Sequence, residues 1–221
     1  MPLSEETKRL TRSFFDLGAI KFGAFRLKLH EKQPDAPLSP IYANLRTADH
    51  PKNPGPLTNE AMDLIGDLYE EVLDLDSFDC FADIPEAGTP FGDQVERVLA
   101  SNNTSKPRLH LTKAFRDDGS RYITAEIEGN FKPGDVCLLV DDLITGADTK
   151  LEAIRALEAA GLVIKVVLVV LDRQQGGVQQ LEKAGYEVVS ILELDSVLDE
   201  FIEWARDKVV EVREYMSDNQ V

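Results

Sequence analysis

Residues 136–150, Val-Cys-Leu-Leu-Val-Asp-Asp-Leu-Ile-Thr-Gly-Ala-Asp-Thr-Lys, end an apolar run in two adjacent carboxylates and follow them with a short polar loop that opens a helix. The run has the length and β-branched content of a buried strand, and Leu151, Ile154 and Leu157 recur at helical spacing until Gly161 stops them. A strand, a loop and a helix N-terminus in that order predict an α/β fold with a mainly parallel central sheet. In such a unit the loop amides and the positive end of the helix dipole face outward at the carboxyl edge of the sheet, where anions are held. Asp141 and Asp142 are placed to accept hydrogen bonds from sugar hydroxyls or to hold the water shell of a magnesium ion.

The rest of the chain keeps the α/β rhythm. Ser4 caps an opening helix carrying Leu10, Phe14, Phe15 and Leu17, and a hairpin-like region follows with Phe22, Phe25, Leu27 and Leu29. Residues 33–56 are rich in Pro, Asn and Asp and read as extended loop around Ile41 and Tyr42. A helix is predicted from Asn59, a strand over 78–84, a helix from Pro90 and a strand over 108–112. Residues 113–134 show no sustained period, which predicts a mobile lid. Parallel strands are expected over 136–141, 164–171 and 187–192, with a helix around residues 178–184 between the last two. Apolar residues at intervals of three and four then mark a long C-terminal helix from Asp195. One domain is the economical reading, with residues 1–56 as a small N-terminal subdomain, 57–194 as the core and 195–221 as the terminal helix.

Composition narrows the partners. A formal net charge of −16 disfavours nucleic acid, which needs clustered Lys and Arg. No segment approaches the about 20 apolar residues of a membrane span, and the charged N-terminus shows no targeting signal, so a cytoplasmic protein is expected. Cys80 and Cys137 lie in apolar strand-like runs and are expected to be buried reduced thiols.

Four ordered segments resemble the orotate phosphoribosyltransferases, of the type I phosphoribosyltransferase family. Val140 to Thr145 is similar to their signature for phosphoribosyl diphosphate (PRPP), and Leu171-Asp-Arg-Gln-Gln-Gly-Gly177 to their Asp-Arg-Gln segment. Phe22-Gly-Ala-Phe-Arg-Leu-Lys28 with Ser39-Pro-Ile-Tyr42 and Leu45-Arg46 resembles their N-terminal segment, and Ile84-Pro-Glu-Ala-Gly-Thr-Pro90 their diphosphate loop. The resemblance implies a type I phosphoribosyltransferase-like fold, with PRPP and orotate as substrates, magnesium as cofactor and a homodimer.

It also implies residue roles. Arg173 and Thr145 fall to the orotate, Lys28 to the substrate region, Asp141 and Asp142 to the ribose hydroxyls and, through water, to magnesium. Gly146, Ala147, Asp148 and Thr149 fall to the 5′-phosphate, and Glu86, Ala87 and Gly88 to the diphosphate. Lys113 and Arg116 of the lid, with Asp142, are the implied catalytic residues. Each has a plainer reading: Arg173 pairs with a carboxylate at a strand end, Lys28 is one more solvated lysine, and Asp142 caps a helix.

Two segments depart from the family pattern. The lid usually reads Arg-Lys-x-x-Lys-x-His-Gly, and this chain has Thr112-Lys-Ala-Phe-Arg-Asp-Asp-Gly119. Arg116 keeps a positive charge, whereas Asp118 places a carboxylate where a histidine stands. In the phosphate turn, Asp148 replaces a small hydroxyl residue; it either repels the phosphate or caps a helix starting at Thr149 or Lys150. An active transferase with rearranged anion contacts and a phosphoribosyltransferase fold kept for nucleotide binding or regulation are therefore both open, and a transferase for another base is a weaker third.

Overall fold

A computed structural model of the chain describes residues 3–27, 30, 34–117, 119 and 121–218. Helix α1 (Glu5–Asp16) starts where Ser4 Oγ accepts a hydrogen bond from the Thr7 amide, as the sequence predicts. Strands β1 (Ile20–Phe25) and β2 (Ser39–Ala43) pair antiparallel as a separate two-stranded sheet. Thr58 caps α2 (Asn59–Val72), which leads to β3 (Cys80–Asp83) and α3 (Thr89–Ser101). Then come β4 (Arg108–Phe115), β5 (Arg121–Glu128), β6 (Val136–Ile144), α4 (Asp148–Ala159) and β7 (Val163–Asp172). The chain finishes with α5 (Gly177–Lys183), β8 (Glu187–Glu193) and α6 (Leu194–Asp218).

The main sheet runs β5-β4-β3-β6-β7-β8, parallel throughout except for the β4–β5 pair. Side-chain alternation sends its residues into two cores. Phe81, Leu138, Val140, Leu168 and Val170 face α1, α2, α3 and α6, while Ala82, Leu139, Val167 and Val169 face Ala153, Ile154 and Leu157 of α4. Cys80 and Cys137 sit opposite each other on β3 and β6, buried and free, as expected. Helix α6 carries a break at Ala205, its Phe201 meets Phe15 edge-on at 5.1 Å, and its Val210 is exposed.

Residues 113–134, read from the sequence as a lid without a sustained period, hold regular structure over much of their length. Strand β4 runs on to Phe115, and β5 pairs back along it, with Lys113 opposite Ile123 and Phe115 opposite Arg121. The region is a hairpin at the edge of the sheet. Its alternation is carried by Ile123 and Ile127 alone, because an edge strand buries few side chains and leaves little apolar pattern to read.

Candidate active site

Strands β3, β6 and β7 are parallel neighbours, so their carboxyl ends and the loops after them lie at one edge. The loops are stitched together there: the Arg173 amide donates to the Ile144 carbonyl at 2.9 Å and the Gly177 amide to the Thr145 carbonyl at 3.0 Å. A Cβ on Gly177 would stand 2.7 Å from that carbonyl oxygen, so the close approach requires glycine. The Ile84 amide donates to the Val140 carbonyl at 2.9 Å, which brings the loop carrying Glu86, Ala87 and Gly88 to the same edge. Residues far apart in the sequence thus share one edge. Lys28 and Asp118 lie outside the described residues.

Helix capping differs between the two parts of the molecule. Helices α1 and α2 have their first amides capped by Ser4 and Thr58, whereas α3, α4 and α5, which all begin at the loop-bearing edge, have no side-chain cap. Uncapped amides and a helix dipole suit a phosphate or diphosphate. At α4 the cap position belongs to Ala147 and Asp148 is already the first helical residue, which corrects the expected start at Thr149 or Lys150. Asp148 is exposed, and its carboxylate lies in the first turn, where the helix dipole favours an anion. A phosphate held at these amides would share that positive end with the carboxylate. Asp148→Thr is expected to tighten PRPP binding by roughly tenfold at low salt and less at high salt, with a small loss of thermal stability, when compared with the parent by calorimetry. Unchanged affinity would show that the carboxylate points clear of the phosphate. Ala147 is fully buried, so it is best left in place in this comparison.

The two acids of β6 are unequal. Asp141 is buried and spends both oxygens internally: Lys150 Nζ donates to Oδ2 at 2.5 Å and the Asp142 amide to Oδ1 at 3.0 Å. Lys150 also donates to the Leu143 carbonyl at 2.5 Å, so it ties the strand end to the first turn of α4. Asp142 accepts from the Leu143 amide at 2.8 Å and is only half-buried. Burial, and then the charge of Asp141, push its carboxyl up. Asp142 is therefore the acid that presents itself at the edge.

Arg173 is buried, and among the described residues its guanidinium makes no ion pair. Burial lowers its pKa, with the phenols of Tyr215 and Tyr42 acting the other way. The plainer reading, a salt bridge at a strand end, is overturned. The preceding Asp172 accepts instead from the Gln174 amide at 2.8 Å, and Tyr42 of β2 and Tyr215 of α6 lie near the Arg173 guanidinium. Gln175 beside it is buried with an unpartnered Oε1.

Sequence reasoning missed the residues that hold these loops. Arg108 joins the diphosphate loop to the start of α3: Nε donates to Asp83 Oδ1 at 2.7 Å and a terminal nitrogen to the Thr89 carbonyl at 2.8 Å. Thr89 Oγ1 donates to the other Asp83 oxygen at 2.8 Å. Lys150 had a faint signal, since it stands one turn before Ile154 on the apolar face of α4. Of the lid residues, Arg116 lies 3.6 Å from Glu152 of α4, and Lys113 is on β4 within the hairpin.

A parallel sheet with uncapped helix starts, an acid at the end of its central strand and a diphosphate-type loop beside it defines a type I phosphoribosyltransferase. No family model matches the chain. It is 30% identical over 194 residues to an orotate phosphoribosyltransferase of Pyrobaculum aerophilum, covering 86% of this chain and 89% of that protein. It is also 30% identical over 193 residues to the uridine 5′-monophosphate synthase of Caenorhabditis elegans. Of that longer protein it spans only 35%. Among solved structures, the uridine monophosphate synthase of Leishmania donovani superposes with a TM-score of 0.73 at 26% identity, over 96% of this chain and 42% of that one. The chain belongs to the orotate phosphoribosyltransferase family.

Proposed function

We propose that the chain transfers the phosphoribosyl group from PRPP to orotate, giving orotidine 5′-monophosphate and diphosphate, and that it acts in the cytoplasm as a homodimer. The observation that carries the reading is Arg173, a buried cation without a carboxylate partner in a chain of net charge −16. A fold tolerates such a group when an anionic ligand completes it, and orotate supplies a carboxylate that a guanidinium grips with two parallel hydrogen bonds. Thr145, half-buried on the adjoining loop, is assigned to the same ligand.

The reaction displaces diphosphate at the anomeric carbon while positive charge builds on the ribose. Stabilising the departing charge is the main task. The start of α3 and the loop at Glu86 to Gly88 receive the diphosphate, and the start of α4 with Gly146 to Thr149 receives the 5′-phosphate. Asp142 accepts from the ribose hydroxyls. Asp141 serves this arrangement through Lys150 rather than by touching substrate. The donor set fits magnesium carried by the diphosphate itself, since no group of three acids, histidines or cysteines gathers among the described residues. Asp142 would hold that ion through water, and the ion would supply charge neutralisation for the leaving group. The test is consumption of orotate in the presence of PRPP and magnesium, with sedimentation giving a mass near twice 24.6 kDa; a chain that is monomeric and inert in that assay would defeat the proposal.

A further inference from the structure

The segment between β2 and α2 is built to present one lysine. The Gly55 and His50 amides both donate to the Thr47 carbonyl, at 2.9 and 3.3 Å, and Thr47 and Leu57 form a β-bridge, so the segment closes on itself. A Cβ on Gly55 would stand 2.2 Å from the Arg46 carbonyl oxygen, so the closure depends on glycine. Inside the loop His50 is buried, and its Nδ1 accepts from the Lys52 and Asn53 amides at 3.3 and 3.1 Å. This turn sends the Lys52 side chain to the diphosphate loop, where Nζ lies 2.5 Å from Glu86 Oε1.

We infer that Lys52 is a substrate-binding residue for the diphosphate of PRPP, its ammonium passing from Glu86 to the diphosphate oxygens when substrate binds. The inference rests on the transferase reading above. The Lys52 and Glu86 side chains are 53% and 37% exposed, so their ion pair adds little to stability and is easily exchanged for a stronger anion. Glu86 lies two residues before Gly88, the uncapped start of α3, so the ammonium is already at the edge where a diphosphate would sit. Lys52 also stands where positive charge is short. Thr112 takes the place of a lid arginine, and Arg116 is turned toward Glu152. The Glu86 carboxyl is held below its usual range first by the Lys52 hydrogen bond, with His50 and Arg121 adding to it. The loop thus sets one ammonium against Glu86, and a diphosphate carries more charge for it than a carboxylate does.

Calorimetric titration of the full chain with PRPP and magnesium separates the outcomes. Lys52→Met is expected to weaken PRPP binding on the order of ten- to thirtyfold, the size of one charge-assisted contact. The loss should shrink as salt rises, while the KM for orotate and the melting temperature stay as in the parent. Glu86→Gln should bind PRPP more tightly than the parent, because it releases the lysine and removes a carboxylate from beside the diphosphate. Equal losses in both variants would mean that the ion pair merely holds the loop, and unchanged binding in Lys52→Met would make Lys52 a surface lysine; either result overturns the inference. A parent chain that binds no PRPP would overturn the transferase reading instead.

Discussion

Arg173→Met is expected to lower kcat/KM for orotate by about two to three orders of magnitude while leaving the affinity for PRPP within about twofold. A buried charge-assisted contact to a carboxylate is worth about 3 to 4 kcal/mol when one partner is removed. The ligand's carboxylate would lose the buried guanidinium assigned to it. Stability should move the other way. The guanidinium has no ion-pair partner among the described residues, so methionine removes an uncompensated buried charge and strands no acceptor. Unfolding in urea should therefore show equal or greater stability for the variant. A large loss of stability with little change in orotate kinetics would make Arg173 structural. A fall in affinity for PRPP as large as that for orotate would place the residue on the wrong ligand.

Lys150→Met is the counterpart, and its large effect falls on the fold. It leaves Asp141 buried at the centre of β6 without the cation that touches its Oδ2, which costs about 3 to 5 kcal/mol in comparable buried pairs. Leu143 loses the donor to its carbonyl at the same time. The double variant Lys150→Met, Asp141→Asn removes both charges and should recover most of the loss. This cycle, measured by urea unfolding, isolates the pair from the rest of α4. A single variant as stable as the parent would show that water or a neighbouring group can replace the ammonium. If the double variant is as unstable as the single, the lysine acts through Leu143 rather than through Asp141.

The elements that read clearly from the sequence bury one full face. Strand β6, α4 and β7 have apolar runs with helical or continuous patterns, and their predicted limits fall within a few residues of those observed. Resemblance in the PRPP and Asp-Arg-Gln segments supplied Asp142, Thr145 and Arg173, which the structure brings to one edge. What stayed hidden depends on partners far away in sequence. A lysine reads as solvated until Asp141 is found beside it, so Lys150 was passed over. Lys52 sits in a loop whose Pro and Asn residues say only that the chain turns, and its partner Glu86 is 34 residues away. The hairpin of β4 and β5 was hidden because its exposed faces carry polar side chains, and the α4 start was misplaced by one residue because Asp suits both the cap and the first turn.

The central claim is that the rearranged anion contacts still support transfer. The most direct measurement follows orotate absorbance in a solution of the purified full chain. The account predicts loss of absorbance that requires both PRPP and magnesium, with orotidine 5′-monophosphate as the product. Constant absorbance from a folded chain that binds PRPP in calorimetry would contradict it, and would identify a phosphoribosyltransferase fold that has kept its ligand and lost its reaction.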